Sequence, residues 1–295
     1  MYYNESTVLF LDGKFTKAID AKVDLFSQTL HYGYGVFEGI RAYQTINGTK
    51  IFKPGEHFER LRRSCSLMRI PMNYSVEELT QLSYQVLERN NLSDAYLRPL
   101  VFCSPNMSLT APKEVSVMIA AWDWGKYFSN ASLRVCISSF QRPNPKSLKV
   151  EAKACGHYVN SILATMEAKE RGFDEALMLD MNGFVAEGPG ANFFFEKDGT
   201  LFTPPLGNIL PGITRHTVID ICRALDIPTV EKYFRPEELF EADSAFFCGT
   251  AAEITAIESM EGQPFLKPWK KSLGRVMQEA YQSIVLDKSY SDVIV

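Results

Sequence analysis

No C-x-x-C pair occurs among the six cysteines of this 295-residue chain, and no Cys or His spacing suits a metal site. Cys65, Cys103, Cys136, Cys155, Cys222 and Cys248 lie mostly in apolar runs such as Val135-Cys136-Ile137 and Phe246-Phe247-Cys248. A free thiol there behaves as a small hydrophobe, and the usage fits a reducing, cytoplasmic compartment. Histidine is scarce, with four in the chain, too few and too dispersed for a metal cluster. Charge of one sign is missing too. The 31 Lys and Arg against 35 Asp and Glu leave a formal net charge of -4, which gives no field to hold nucleic acid or an anionic membrane. Apolar runs such as Val115–Trp122 fall far below the roughly 20 residues a bilayer requires. The start, Met1-Tyr2-Tyr3-Asn4-Glu5-Ser6, has no basic stretch followed by an apolar one, so no signal peptide is expected. No strand is followed by G-x-G-x-x-G, which argues against a nicotinamide dehydrogenase.

What is present reads as an ordinary globular chain, 46% hydrophobic and 22% charged. The length suits two domains: a small one over residues 1–124, a connection at 125–131 and a large one over 132–295. Val8–Leu11 leads into Asp12-Gly13, and Gly39–Gln44 runs through Asn47-Gly48 to Lys50–Lys53; both patterns predict hairpins. Glu56–Met68 places Phe58, Leu61 and Cys65 on one helical face. Ser75 with Glu78 forms a capping-box pattern before a stripe of Leu79, Leu82, Val86 and Leu87. Strands are expected at Leu97–Phe102, Val115–Trp122 and Leu133–Ser139. Next come a helix at His157–Arg171, with Val159, Ile162, Leu163 and Met166 facing inward, and hairpins turning at Asn182-Gly183 and Asp198-Gly199. Helices at Pro211–Leu225 and Leu273–Val285 complete a pattern of hairpins and separate helices, α+β rather than a regular βαβ array.

Four segments carry candidate chemistry. Lys153 lies among small residues in Ala152-Lys153-Ala154-Cys155-Gly156, which would let a bulky group approach the backbone. Glu187 precedes the bend Gly188-Pro189-Gly190. Leu210-Pro211-Gly212-Ile213-Thr214-Arg215 enters a helix, whose first N–H groups and dipole favour an anion. Gly249-Thr250-Ala251 makes a second glycine-threonine turn after an apolar strand. One at a time, these read as a surface lysine, a turn carboxylate and two capped helix starts. Together they meet the three demands of pyridoxal phosphate: an amine, an acid for the ring nitrogen and donors for the phosphate.

Taken in order, the chain resembles the branched-chain amino acid aminotransferases of the fold-type IV pyridoxal-phosphate enzymes. The resemblance runs from His31-Tyr32-Gly33 and Phe37-Glu38-Gly39-Ile40-Arg41 through Glu56-His57-Phe58-Glu59-Arg60-Leu61 and Tyr96-Leu97-Arg98-Pro99 to the four segments above. It implies a two-domain α/β (α+β) fold like that of D-amino acid aminotransferase, with the cofactor between the domains. It also implies Lys153 as Schiff-base lysine and catalytic base, Tyr158 on the cofactor's ring oxygen and Glu187 on its ring nitrogen. The phosphate would be held by Arg60, Ile213, Thr214 and Thr250, with Leu210, Gly212 and Gly249 also among the cofactor-binding residues. Tyr96, Thr250 and Ala251 would hold the substrate's α-carboxylate, Tyr32, Phe37, Trp124 and Tyr127 would line the side-chain pocket, and Arg98 would receive the second carboxylate of glutamate.

The implied reaction is ping-pong transamination between L-leucine, L-isoleucine or L-valine and 2-oxoglutarate, by a homodimer without metal, nucleic-acid or membrane partners. Cys155 and His157 stand where Gly and Asn are common in relatives and read as packing changes, while a short Cys103–Pro112 loop bears on side-chain specificity. Rival readings on the same fold are a D-amino acid or (R)-amine transaminase and an aminodeoxychorismate lyase, separable by assay with L- and D-leucine. A cofactor-free binding protein would stay colourless with added pyridoxal phosphate.

Overall fold

The computed structural model describes residues 2–125, 128 and 130–288. By internal packing the chain divides into two compact units, residues 1–125 with 152–157, and residues 126–151 with 158–295.

The first unit carries β1 (Val8–Leu11), β2 (Lys14–Lys17), α1 (Gln28–Tyr32), β3 (Gly35–Phe37), β4 (Ile40–Thr45) and β5 (Gly48–Ile51). α2 (Pro54–Leu67), α3 (Val76–Arg89), β6 (Ala95–Cys103) and β7 (Val115–Asp123) follow. Its sheet has the order β2-β1-β7-β6-β4-β5, with β3 also on β6, and all pairs are antiparallel. The Asp12-Gly13 turn takes positive φ at both residues, 47° and 82°, as a two-residue hairpin requires. The capping box forms as expected: the Glu78 N–H donates to Ser75 Oγ at 3.1 Å and the Ser75 N–H to Glu78 Oε2 at 2.7 Å. Phe58, Leu61 and Cys65 of α2 and Leu79, Val86 and Leu87 of α3 bury against Ile40, Leu97, Val101 and Ile119 of the sheet. Leu82 is only half-buried.

Residues 152–157 group with this unit rather than with the stretch 132–295 to which their position in the chain assigned them. The cause is backbone pairing with β3: Val36 bridges Ala154, and the Phe37 N–H donates to the Lys153 carbonyl at 3.0 Å. Gly156 N–H donates to the Gly33 carbonyl at 2.9 Å. Gly33 sits at φ 64°, and a Cβ there would lie 2.7 Å from the Gly156 Cα, so the approach requires glycine.

The second unit contains β8 (Ser132–Ile137), α4 (Tyr158–Glu170), β9 (Glu175–Leu179), β10 (Val185–Glu187), β11 (Asn192–Lys197) and β12 (Thr200–Thr203). α5 (Ile213–Ala224), β13 (Thr229–Glu231), β14 (Ser244–Gly249), β15 (Glu253–Met260), β16 (Gln263–Pro264) and α6 (Leu273–Val285) complete it. The strand order is β10-β9-β8-β15-β14-β11-β12-β13, and a further β10–β11 pairing closes six strands into a ring. Leu133, Val135, Leu177, Val185, Phe193, Phe195, Phe247 and Ile257 form one core. Alternation along β11 and β14 turns Phe194 and Phe246 the other way, stacked at 5.2 Å.

One expectation is corrected here. The helix at 158–170 forms, but Val159 (60% exposed), Ile162 (58%), Leu163 (40%) and Met166 (52%) face outward. Ser161, Ala164 and Ala168 face the sheet instead, with Ala164 and Ala168 against Cys136, Ala176 and Met178. Small residues on that face let the helix pack close to the strands, and the larger residues stay exposed. Ile284 of α6 likewise points outward.

Candidate active site

In the first unit Phe37, the last residue of β3, and Glu38, just after it, present neighbouring side chains to two groups. Phe37 lies under the amine of Lys153, whose Nζ is 5.0 Å from the ring centroid, and the Arg98 guanidinium sits 4.7 Å from the same ring. Lys153 is fixed at the backbone on both sides, its carbonyl by Phe37 and its N–H by Ser64 Oγ at 3.0 Å. Arg98 also packs on the rings of Tyr96 (5.3 Å) and Trp122 (5.9 Å), and its Nη2 donates to the Tyr96 hydroxyl at 3.3 Å. Trp124 stacks on Tyr96 at 4.4 Å. The cross-strand pairing of Tyr96 with Trp122 brings these rings to one sheet face. A Cβ at position 39 would lie 1.9 Å from the Tyr96 hydroxyl, so Gly39 makes room for it.

Glu38, the residue after β3, is fully buried and turned to α2. It accepts from Arg60 Nε at 2.7 Å and Nη2 at 2.8 Å, and from His57 Nδ1 at 2.8 Å. Burial raises its proton affinity, but the Arg60 and His57 contacts outweigh that and hold the carboxyl far below the usual carboxylate range. Burial lowers the pKa of His57, which keeps the imidazole neutral. Arg60 thus has one edge of its guanidinium set by a buried carboxylate, the two-pronged geometry that fixes its orientation.

In the second unit the ends of β10, β11 and β14 lie side by side, since Glu187 pairs with Asn192 and Asn192 with Cys248. Glu187, buried, accepts from Asn192 Nδ2 at 2.9 Å and from the Leu210 N–H at 3.1 Å. Arg142 Nε stands 3.0 Å from Glu187 Oε1. Asn192 also donates to the Leu210 carbonyl at 3.0 Å, which ties the entry of α5 to Glu187. Gly212 caps α5 with no side-chain bond, and a Cβ there would lie 1.8 Å from Asn192 Oδ1. The first helical residues, Ile213 and the buried Thr214, therefore start the helix without a competing side-chain cap. Gly249 ends β14 with its backbone close to Gly190 and Ala191, and Thr250 and Ala251 form the turn to β15.

Most of the expected residues thus fall into two sets. Lys153, Phe37, Tyr96, Arg98 and Trp124 come together in the first unit, with Arg60 reached through Glu38. Glu187, Leu210, Gly212, Ile213, Thr214, Gly249, Thr250 and Ala251 are carried by neighbouring elements of the second. Tyr158 opens α4. Tyr32 ends α1, exposed, and donates to the Met107 carbonyl at 3.1 Å rather than joining the Phe37 set. Tyr127 lies outside the described residues. Cys155 is a thiol pushed up to about 11 by burial, so it stays neutral.

The sequence reading missed Glu38, His57, Arg142 and Asn192 as functional groups. An acid inside the apolar run Val36-Phe37-Glu38-Gly39-Ile40 was a usable sign of a buried pair. Arg142 had none, since it stands in an irregular connection far from Glu187 in sequence.

The donor chemistry of each unit fits pyridoxal phosphate: a backbone-anchored amine and an oriented arginine in the first, a buried carboxylate and an uncapped helix start in the second. Among the described residues no His, Cys, Asp or Glu cluster could hold a metal, and no helix is long and apolar enough to cross a membrane.

The family model for amino-transferase class IV matches residues 35–260. A branched-chain-amino-acid aminotransferase of Pseudomonas aeruginosa is 41% identical over 288 residues, 96% of this chain and 94% of that protein. Among solved structures, the branched-chain aminotransferase of Thermoproteus uzoniensis with norvaline superposes with a TM-score of 0.92 at 41% identity, covering 98% of both chains. The branched-chain amino acid aminotransferase of Thermobaculum terrenum in its PLP form gives 0.91 at 31% identity, covering 97% of this chain and 96% of that one.

Proposed function

The chain belongs to the class IV aminotransferases, alongside branched-chain-amino-acid members, and from that premise we propose that it moves the amino group of L-leucine, L-isoleucine or L-valine to 2-oxoglutarate. The products are the branched-chain 2-oxo acid and L-glutamate. The cofactor is pyridoxal phosphate, which when bound withdraws electrons from the substrate's α-carbon and carries the amino group between the two half-reactions. The feature that supports this most is Lys153, an amine anchored by two backbone hydrogen bonds and set against Phe37.

The residues divide the work. Lys153 holds the cofactor through its amine and, once displaced by substrate, Nζ takes and returns the proton at the α-carbon. Glu187, fixed by Asn192 and the Leu210 N–H, holds a proton on the ring nitrogen, and Tyr158 donates to the ring oxygen. Arg60, aimed by Glu38, grips the phosphate with Thr250 and the N–H groups of Ile213 and Thr214, while Leu210, Gly212 and Gly249 shape the cofactor's surroundings. Tyr96 with Thr250 and Ala251 orients the α-carboxylate. Phe37 and Trp124 give an aromatic wall that accepts an aliphatic chain, and Arg98 with its tyrosine neighbour accepts the second carboxylate of glutamate.

We read the enzyme as a cytoplasmic homodimer. Six free thiols support the compartment, and the outward apolar stripe of α4 supports a protein partner surface. The test is glutamate formation from 2-oxoglutarate with L- and D-leucine in parallel. Turnover with the L form alone is expected; turnover with only the D form removes this substrate class while leaving the cofactor.

A further inference from the structure

Glu187 is a carboxylate in a buried setting, and burial alone favours its neutral, protonated form. A carboxylic acid there would share or keep the proton that a ring base should carry. Neutral donors at Asn192 and Leu210 orient the group but bring no charge.

Arg142 brings a cation into direct contact with Glu187. Its side chain is 7% exposed and that of Glu187 6%, with Nε 3.0 Å from Oε1. The contact is ionic and lies off the line of a hydrogen bond, since Nε has no hydrogen-bond acceptor among the described residues. The backbone of Arg142 is anchored separately, its N–H donating to the Leu179 carbonyl at 2.8 Å, next to the strand that pairs with β10. The side chain is therefore delivered to Glu187 from outside the β10–β11 hairpin.

Two further titratable groups near the carboxylate are a neutral thiol and an arginine engaged elsewhere. Cys248 faces Glu187 from β14 and stays a neutral thiol because burial raises its pKa. Arg215 of α5 acts on Cys248, and its Nη2 is engaged by Glu231 at 2.6 Å and by the Pro204 carbonyl at 2.8 Å.

We propose that Arg142 is a positioning residue that keeps Glu187 ionised by charge, and thereby keeps the proton on the ring nitrogen of the bound cofactor. The inference rests on the function proposed above. A guanidinium touching the carboxylate lowers the proton affinity of Glu187 more than that of a base bonded beyond it. The balance between a carboxylate with a protonated ring and a carboxylic acid with a neutral ring then falls to the charged pair. Without Arg142 the same dry surroundings favour the neutral pair, and the ring loses electron-withdrawing power.

The test loads wild type, Arg142→Gln and Arg142→Lys with pyridoxal phosphate labelled with nitrogen-15 in the ring and reads the ring-nitrogen NMR shift across pH, without turnover. The wild type should show the protonated position throughout. Arg142→Gln should move toward the neutral position and titrate within the accessible range, and Arg142→Lys, keeping a cation, should move much less. Arg142→Met serves in place of Arg142→Gln if the latter does not fold, with the same shift expected. An unshifted, protonated ring in the neutral variants overturns the proposal. So does Arg142→Lys shifting as far as Arg142→Gln, which would assign the effect to packing instead of charge. A wild type that takes up no cofactor removes the function proposed above, and this inference with it; that result is distinct from a wild type that binds and a variant that does not shift.

Discussion

Replacing Glu38 with glutamine tests whether the buried cluster on α2 is as tightly coupled as its geometry indicates. Glu38 is fully buried and receives three donors at 2.7, 2.8 and 2.8 Å from two side chains. Glutamine keeps the shape but offers one acceptor oxygen; Oε1 accepts from Arg60 Nε and Oε2 from both Arg60 Nη2 and His57 Nδ1, so the amide nitrogen meets an Arg60 donor in either orientation. The milder orientation keeps the oxygen toward Nη2 and His57, yet the Arg60 guanidinium loses the acceptor of its Nε and its charged partner in a site where it is 9% exposed. Removing one member of a buried ion pair costs about 3–5 kcal/mol, and the retained acceptor places this variant at the lower end. At about 2–4 °C per kcal/mol for a chain of this size class, melting should fall by roughly 6–12 °C. The pH dependence follows from the depressed carboxyl pKa in the folded state. The stabilisation is complete above the ordinary glutamate range and is lost as pH falls below it, so the wild-type advantage over Glu38→Gln should be full at pH 7 and shrink in acid. Cofactor affinity should weaken in the same variant, because Arg60 is no longer aimed. A stability loss under about 1 kcal/mol, the scale of an exposed pair, would refute the coupling.

Gly39→Ala should force the Tyr96 hydroxyl from its place, since the new methyl would lie 1.9 Å from it. Overpacking of this kind costs about 1–3 kcal/mol, and steady-state kinetics should show KM for the amino acid rising more than stability falls. Glu175→Gln should stabilise the protein at neutral pH in denaturant unfolding. Burial raises the pKa of Glu175, so the wild type is favoured below the ordinary glutamate range and loses that as pH rises. The glutamine oxygen can still accept from Thr165 and Ala176, and the gain should vanish in acid. Ile162→Lys on the exposed stripe of α4 should yield a smaller species by sedimentation with far-UV dichroism unchanged; an unchanged mass would mean that face lies outside the subunit contact.

Local chemistry carried much of the fold into the sequence. The Ser75–Glu78 capping box, the Asp12-Gly13 turn and the apolar face of α2 all depend on residues within a turn or two of each other, and each forms as its pattern predicts. α4 escaped because its larger apolar residues define a stripe that need not face the nearest sheet. Periodicity finds a face without saying what covers it, and Ser161, Ala164 and Ala168 won the inward side through size. The transfer of residues 152–157 to the first unit depends on pairing with β3, a contact across more than a hundred residues that no local pattern encodes. In the candidate site, Lys153, Glu187 and the entry to α5 could be singled out only in combination and through the family resemblance, since each short segment alone reads as an ordinary surface or capping feature. Arg142 and Asn192, which act on Glu187, and Glu38 and His57, which form one cluster with Arg60, were not legible, because those contacts join residues apart in the chain.

The central claim is that Lys153 carries the cofactor, and the most direct test is the visible absorption spectrum of wild type and Lys153→Ala loaded with pyridoxal phosphate, before and after L-leucine. The account predicts a protein-linked band in the wild type that L-leucine bleaches, and no such band in the variant. An identical linked band in Lys153→Ala would contradict it, since another amine would then hold the cofactor.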